Sequence, residues 1–130
     1  MSSRSTPTSK LLTEAELELM NILWCIGGGT VREVMAHLPQ DRDLAYTSVS
    51  TILRIMQQKK FVQSVKQGRS HRYVPVMSQS AYQQRNLKHV VRGLFGGDPM
   101  SLVRRLVSSE SLSEADLRDM AKLVEEQLRD

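Results

Sequence analysis

The sequence predicts a mainly α-helical chain that carries one small β-hairpin. Over most of its 130 residues, apolar side chains recur at spacings of three and four, the signature of helices with one buried face. Between Phe61 and Val76 the period drops to two, the signature of a pair of short strands. Aromatic residues make up 5% of the chain, and aliphatics with Met dominate the apolar set, which suits packed helices better than a large sheet. This length supports one compact domain, or a small domain with a dependent helical appendage, rather than two independent cores.

Residues 1–10, rich in Ser and Thr, read as a disordered leader. At Leu12-Thr13-Glu14-Ala15-Glu16-Leu17 a capping box and hydrophobic staple open the first helix: Thr13 caps the Glu16 amide, Glu16 reaches back, and Leu12 packs on Leu17. That helix runs to about Cys25 and stops at Gly27-Gly28-Gly29. A phosphate-cradling role for these glycines is disfavoured because no Gly-Lys-Ser/Thr follows. Thr30 caps a short second helix, Val31 to His37, with Val31, Val34 and Leu38 inward and Pro39 closing it.

The third helix, between Ala45 and Lys60, has two faces that differ in chemistry as well as polarity. Val49, Ile52, Leu53 and Met56 form an apolar stripe, and Thr47, Ser50, Thr51, Arg54 and Gln58 lie opposite. An ordinary solvent face favours long charges of mixed sign. Small hydroxyls with one Arg are instead able to approach phosphates and base edges closely. Two β-branched runs around Gln67-Gly68-Arg69 then make a hairpin whose tip and flanks carry Lys66, Arg69, His71 and Arg72. Three helices followed by a basic hairpin make a winged helix-turn-helix over residues 11–77, with the third helix aimed at a DNA major groove and the wing at the backbone or minor groove.

Charge supports that reading. From Leu44 to Gly97 there is no Asp or Glu, while Arg54, Lys59, Lys60, Lys66, Arg69, Arg72, Arg85, Lys88 and Arg92 are all present, and both flanks carry more acids than bases. A formal net charge of +4 therefore conceals a strongly basic middle, the electrostatic footprint of a polyanion-binding segment.

Residues 78–130 return to the helical period. Leu87, Val90, Val91 and Leu94 share a face up to Gly96-Gly97-Asp98-Pro99, and Pro99 fits the first turn of another helix with Leu102, Val103, Leu106 and Val107 as its stripe. Leu112-Ser113-Glu114-Ala115-Asp116-Leu117 repeats the staple and box, and Leu117, Met120, Ala121, Val124 and Leu128 form the last apolar face. Stripes with so little chain left to cover them predict a second copy as the cover, so this region is assigned to homodimerisation. The candidate contacts are Leu87, Val91, Leu94, Leu102, Val103, Leu106, Leu117, Met120, Val124 and Leu128.

The single cysteine, Cys25, excludes an internal disulfide, and its apolar surroundings predict an inert buried thiol. His37, His71 and His89 lack the spacing and companions of a metal site, and no cofactor motif is present. The scattered Ser and His residues offer no nucleophile-base arrangement, so an enzyme is not expected. No apolar run approaches membrane-spanning length and no signal-peptide pattern opens the chain, so a soluble, cytoplasmic, nucleoid-associated protein without membrane contact is expected.

Leu12-Thr13-Glu14-Ala15-Glu16 leading to Ile22-Leu23-Trp24, then Leu44-Ala45-Tyr46-Thr47-Ser48-Val49, then Lys66-Gln67-Gly68-Arg69-Ser70-His71-Arg72-Tyr73-Val74-Pro75, resembles the bacterial penicillinase repressor family from about Leu12 to Leu128. The resemblance implies a homodimeric winged-helix repressor on a palindromic operator in double-stranded DNA, controlling β-lactam-response or other stress genes. It implies recognition-helix contacts at Tyr46, Thr47, Val49, Ser50 and Arg54. Joined to the basic residues above, the candidate DNA-binding set is Tyr46, Thr47, Val49, Ser50, Thr51, Arg54, Lys60, Lys66, Arg69, His71 and Arg72. β-Lactam-responsive members are inactivated by a protease that cuts an Asn-Phe pair; this chain has Arg105-Leu106 before Val107. Copper-responsive members end in paired cysteines, and this chain ends Glu125-Glu126-Gln127-Leu128-Arg129-Asp130. Whether a protease or a small-molecule inducer releases the DNA is left open by the sequence. So is a competing reading, a winged-helix protein-interaction module without sequence-specific DNA binding.

Overall fold

In the computed structural model, which describes residues 11–129, eight elements follow one another: α1 (Glu14–Ile26), α2 (Val31–Ala36), α3 (Tyr46–Gln58), β1 (Val62–Gln67), β2 (Ser70–Pro75), α4 (Gln79–Leu94), α5 (Pro99–Ser108) and α6 (Glu114–Leu128). The leader expected at residues 1–10 lies outside the described residues. The chain divides into two compact units, one through Gln84 and one from Arg85, so the boundary falls inside α4.

The first unit is closed by caps that the sequence spells out. The Thr13 hydroxyl accepts from the Glu16 amide at 3.2 Å while the Glu16 carboxylate accepts from the Thr13 amide at 2.9 Å, and α1 ends with Gly27 in the left-handed region at φ 81°. Thr30 and Glu33 form a second such box at the start of α2. Leu19, Met20 and Leu23 of α1, Val31 and Val34 of α2, and Val49, Leu53 and Met56 of α3 are buried together, with Phe61, Val62 and Tyr73 completing the core from the hairpin side. Helical spacing puts three apolar residues each of α1 and α3, and two of the shorter α2, on this one face. Cys25 departs from the expectation of a buried thiol: two residues beyond Leu23, it points about 200° round the helix and is exposed.

β1 and β2 pair antiparallel from Val62↔Pro75 to Gln67↔Ser70, which leaves Gly68-Arg69 as a two-residue turn with Gly68 at φ 62°. A third short edge joins them. Gly29 and Tyr73 exchange both backbone hydrogen bonds, at 2.9 and 2.8 Å, so the segment between α1 and α2 runs against β2. A Cβ on Gly28 would lie 3.0 Å from the Tyr73 carbonyl oxygen, and Gly28 has φ 126°, so this close approach needs glycine twice over. The glycine run therefore does more than end α1; it admits the wing.

The start of α4 belongs to the first unit through an aromatic cluster. Tyr82 is buried, its ring 5.8 Å from both Trp24 and Phe61, and its hydroxyl accepts from the Leu12 amide at 2.9 Å. The Trp24 indole donates to the Met77 carbonyl at 2.9 Å. In the second unit, Asp98 caps α5 with Pro99 in the first turn, and Ser113 with Asp116 forms a third capping box at α6. Beyond Tyr82 no described residue is buried, and Leu94, Leu123, Val124 and Leu128 are each more than half exposed. No helix among the described residues is long and apolar enough to cross a membrane.

Candidate nucleic-acid interface

Burial of one side of α3 decides which residues its other side can offer. Val49, Leu53 and Met56 are fully enclosed, while Tyr46, Thr47, Thr51 and Arg54 are exposed and Ser50 is half-buried. Val49 therefore has to be withdrawn as a DNA contact: at one and two turns before Leu53 and Met56 it shares their face, and its side chain has no exposed surface. The rest of the candidate set on α3 lies on the free side.

Alternation along the hairpin places the wing residues in the same way. Tyr73 plugs the core, and His71, two residues nearer the tip, falls on the same face of β2 and lines a groove against α3. Lys66 is the cross-strand partner of His71. Val65 and Arg72, the next pair, lie on the opposite face. Arg72 is half-buried and donates from Nη1 to the Gly28 carbonyl at 3.0 Å, with Nη2 3.5 Å from the Gly27 carbonyl. A cation on these carbonyls, just past the C-terminus of α1, complements the helix dipole and fastens wing to helix.

Lys59 and Lys60 are adjacent but do different work. The Lys59 ammonium sits 2.8 Å from Oε1 of Glu16, a carboxylate that is almost wholly buried, and so ties the end of α3 to the start of α1. Lys60 is exposed with φ 70°, where α3 turns into β1. Its amide donates to the Gln57 carbonyl and that of Phe61 to the Met56 carbonyl, both at 3.0 Å, a Schellman closure with Phe61 and Met56 buried against the core.

The groove between α2, α3 and the wing has a volume of about 190 Å³ and is lined by Thr30, Val31, Arg32, Tyr46, Ser50, Arg69, Ser70, His71 and Tyr73. Ser50, Tyr46, Arg69 and His71 were legible in the sequence; Thr30 and Arg32 were not. Arg32 lies in the acidic flank beside Glu33, and no local pattern marks it. Glu33 is turned to the Thr30 amide at 2.8 Å, and the Arg32 guanidinium stands 5.1 Å from the centroid of the Tyr46 ring. Among the described residues, Arg32, Arg54, Lys60, Lys66 and Arg69 have no carboxylate partner. The surface made by the exposed face of α3 and the hairpin is thus positive and unneutralised.

Known proteins resemble this chain along most of its length. The family model for the penicillinase repressor matches residues 12–126. A methicillin resistance regulatory protein MecI of Mammaliicoccus sciuri is 21% identical over 113 residues, which is 87% of this chain and 92% of that protein. A transcriptional regulator BlaI of Mycobacterium tuberculosis is 41% identical over 66 residues, 50% of this chain and 48% of its own. Among solved structures, the DNA-binding domain of the repressor BlaI superposes with a TM-score of 0.50 at 25% identity, covering 62% of this chain and 94% of that domain.

Proposed function

Since the chain belongs to the penicillinase repressor family, we propose that it is a DNA-binding transcriptional repressor whose winged-helix unit docks α3 in the major groove of an operator. The observation that carries this reading is the unpartnered positive surface: Arg54, Lys60, Lys66 and Arg69 project from α3, its end and the wing without a carboxylate to neutralise them, while the other side of α3 is buried in the core. Thr47, Thr51 and Arg54 read base edges, and Ser50, Lys66, Arg69 and His71 hold register on the backbone. Arg72 orients the wing through Gly28 rather than touching DNA first.

The repressor acts as a homodimer on a two-fold operator. Beyond Tyr82 no described residue is buried, so Leu94 at the end of α4, Leu106 of α5, and Leu117, Val124 and Leu128 of α6 are left for a second copy to cover. Leu87, Val91, Leu102, Val103 and Met120 belong to the same set; Leu87 is exposed and the other four are half-buried. Repression is steric, by occupation of the operator, and the protein works in the cytoplasm without catalysing a reaction.

Mapping the genomic DNA bound by the protein defines the operator, and titrations on that duplex and a scrambled one then test the roles. Arg54→Ala is expected to lose about 1–3 kcal/mol of discrimination at one base position, and Lys66→Ala to weaken both duplexes alike with a salt slope smaller by about 0.9. Uniform loss for both variants would refute the division of roles, and salt-independent binding would refute DNA docking through this surface.

A further inference from the structure

We infer that Arg32 of α2, held over the Tyr46 ring, forms with Arg69 a seat for one backbone phosphate of the DNA in the groove between α2, α3 and the wing. The inference rests on the proposed DNA-binding reading and deepens it. Three elements converge on this groove and each supplies a group suited to a phosphodiester: Arg32 from α2, Ser50 from α3, and Arg69 with His71 from the hairpin. No carboxylate lines it. Glu33, the acid nearest in sequence, has its carboxylate engaged by the Thr30 amide. A groove of about 190 Å³ is far too small for a helix or strand of a partner, and it suits a group the size of a phosphate with its waters.

Tyr46 takes a different part from base reading. Its ring is about half exposed and lies 5.1 Å beneath the Arg32 guanidinium. Stacking on an aromatic face restrains a long side chain that otherwise samples many rotamers, so less freedom is lost when the phosphate arrives. Tyr46 is therefore a positioning residue that acts through Arg32. A planar guanidinium stacked in this way leaves its edge N–H groups free to donate in a fork to two phosphate oxygens.

The test measures binding of the full chain to a random-sequence DNA duplex over a range of salt, where a single phosphate contact is read as slope. Arg32→Gln keeps most of the stem and removes the charge. It is expected to reduce the slope by about 0.9 and to lower affinity about fivefold near physiological salt. Tyr46→Phe keeps the ring and is expected to retain the contribution of Arg32 to the salt slope. Tyr46→Ala is expected to lose part of the Arg32 effect, and Tyr46→Ala combined with Arg32→Gln to bind no more weakly than Arg32→Gln alone. An unchanged slope for Arg32→Gln, additive losses in the double variant, or a Tyr46→Phe loss of slope equal to that of Tyr46→Ala each overturn the inference. Failure of the unaltered chain to bind any duplex overturns the proposed function and this seat with it, whereas normal binding by an Arg32→Gln chain overturns the seat alone.

Discussion

Lys60 occupies a backbone position made for glycine, and the consequences of changing it can be worked out in advance. Its φ of 70° lies in the left-handed region, and the Schellman bonds at 3.0 Å on either side require that geometry. An L-residue with a Cβ gives up about 1–2 kcal/mol there. Replacement by glycine removes that strain but adds freedom to the unfolded chain, which takes back about 0.5–1 kcal/mol. Lys60→Gly should therefore stabilise the first unit by about 0.5–1 kcal/mol, a rise in Tm of about 2–8 °C for a unit of this size. Lys60→Ala keeps the Cβ and should leave stability unchanged.

DNA affinity should move the other way. Both variants lose the same ammonium, and one phosphate contact with a slope of about 0.9 amounts to roughly fivefold between about 1 M and about 0.15 M salt. Thermal and urea melts of the three proteins, set beside salt titrations on one duplex, separate the two effects. A glycine variant no more stable than the alanine variant would show that the strain at this position is no larger than the freedom glycine adds to the unfolded chain, and would refute the expected gain. An alanine variant with full affinity and an unchanged slope would remove Lys60 from the interface.

Lys59→Met should destabilise the first unit by about 2–3 kcal/mol in urea melts, because it leaves the Glu16 carboxylate buried without its cation; this is below the range for fully buried pairs because Lys59 is partly open to water. The double variant Lys59→Met with Glu16→Gln should recover much of that loss, and equal losses in single and double variants would contradict the buried-charge account. Tyr82→Phe should cost about 1–2 kcal/mol, since it strands the Leu12 amide while leaving both ring contacts in place; hydrogen exchange at Leu12 is the direct readout. The backbone N–H of Ser113, with its side chain, holds the Asp116 carboxyl below its ordinary range. A depressed folded-state value means that the cap contributes fully above the ordinary aspartate range and is lost as pH falls through the lowered value. Helicity measured by circular dichroism should therefore decline in acid for the natural chain, and the part due to this cap should be missing at every pH in Asp116→Ala; a parallel acid loss in both would count against the cap.

What the sequence reveals about this chain is what lies within a few residues of itself. The boxes at Thr13 and Ser113, the glycine stop at Gly27, the hairpin turn at Gly68 and the apolar stripes of α1 and α3 are periods and spacings, and the structure reproduces them. Cys25 is exposed despite its apolar neighbours because a neighbourhood in sequence wraps all the way round a helix in space. Val49 carried two incompatible expectations, one from its stripe and one from its resemblance, and burial settles it for the stripe. The aromatic cluster of Trp24, Phe61 and Tyr82 leaves no local pattern because its three members lie on three separate segments.

Charge shows the same limit most clearly. A stretch without acids identifies cations that lack a neutralising neighbour along the chain, but neutralisation is spatial. Lys59, inside that stretch, is paired with Glu16 from 43 residues away, and Arg72 is bound to a carbonyl 44 residues away. Arg32, outside the stretch and beside an acid, is left without a carboxylate because that acid caps a helix. The acid-free block therefore locates the positive region while including one cation that the fold pairs, Lys59, and omitting one that it leaves unpaired, Arg32. An electrostatic interface is set by which cations the fold leaves unpaired, and for that reason Lys59→Met should disturb stability far more than DNA affinity, whereas Arg32→Gln should do the reverse.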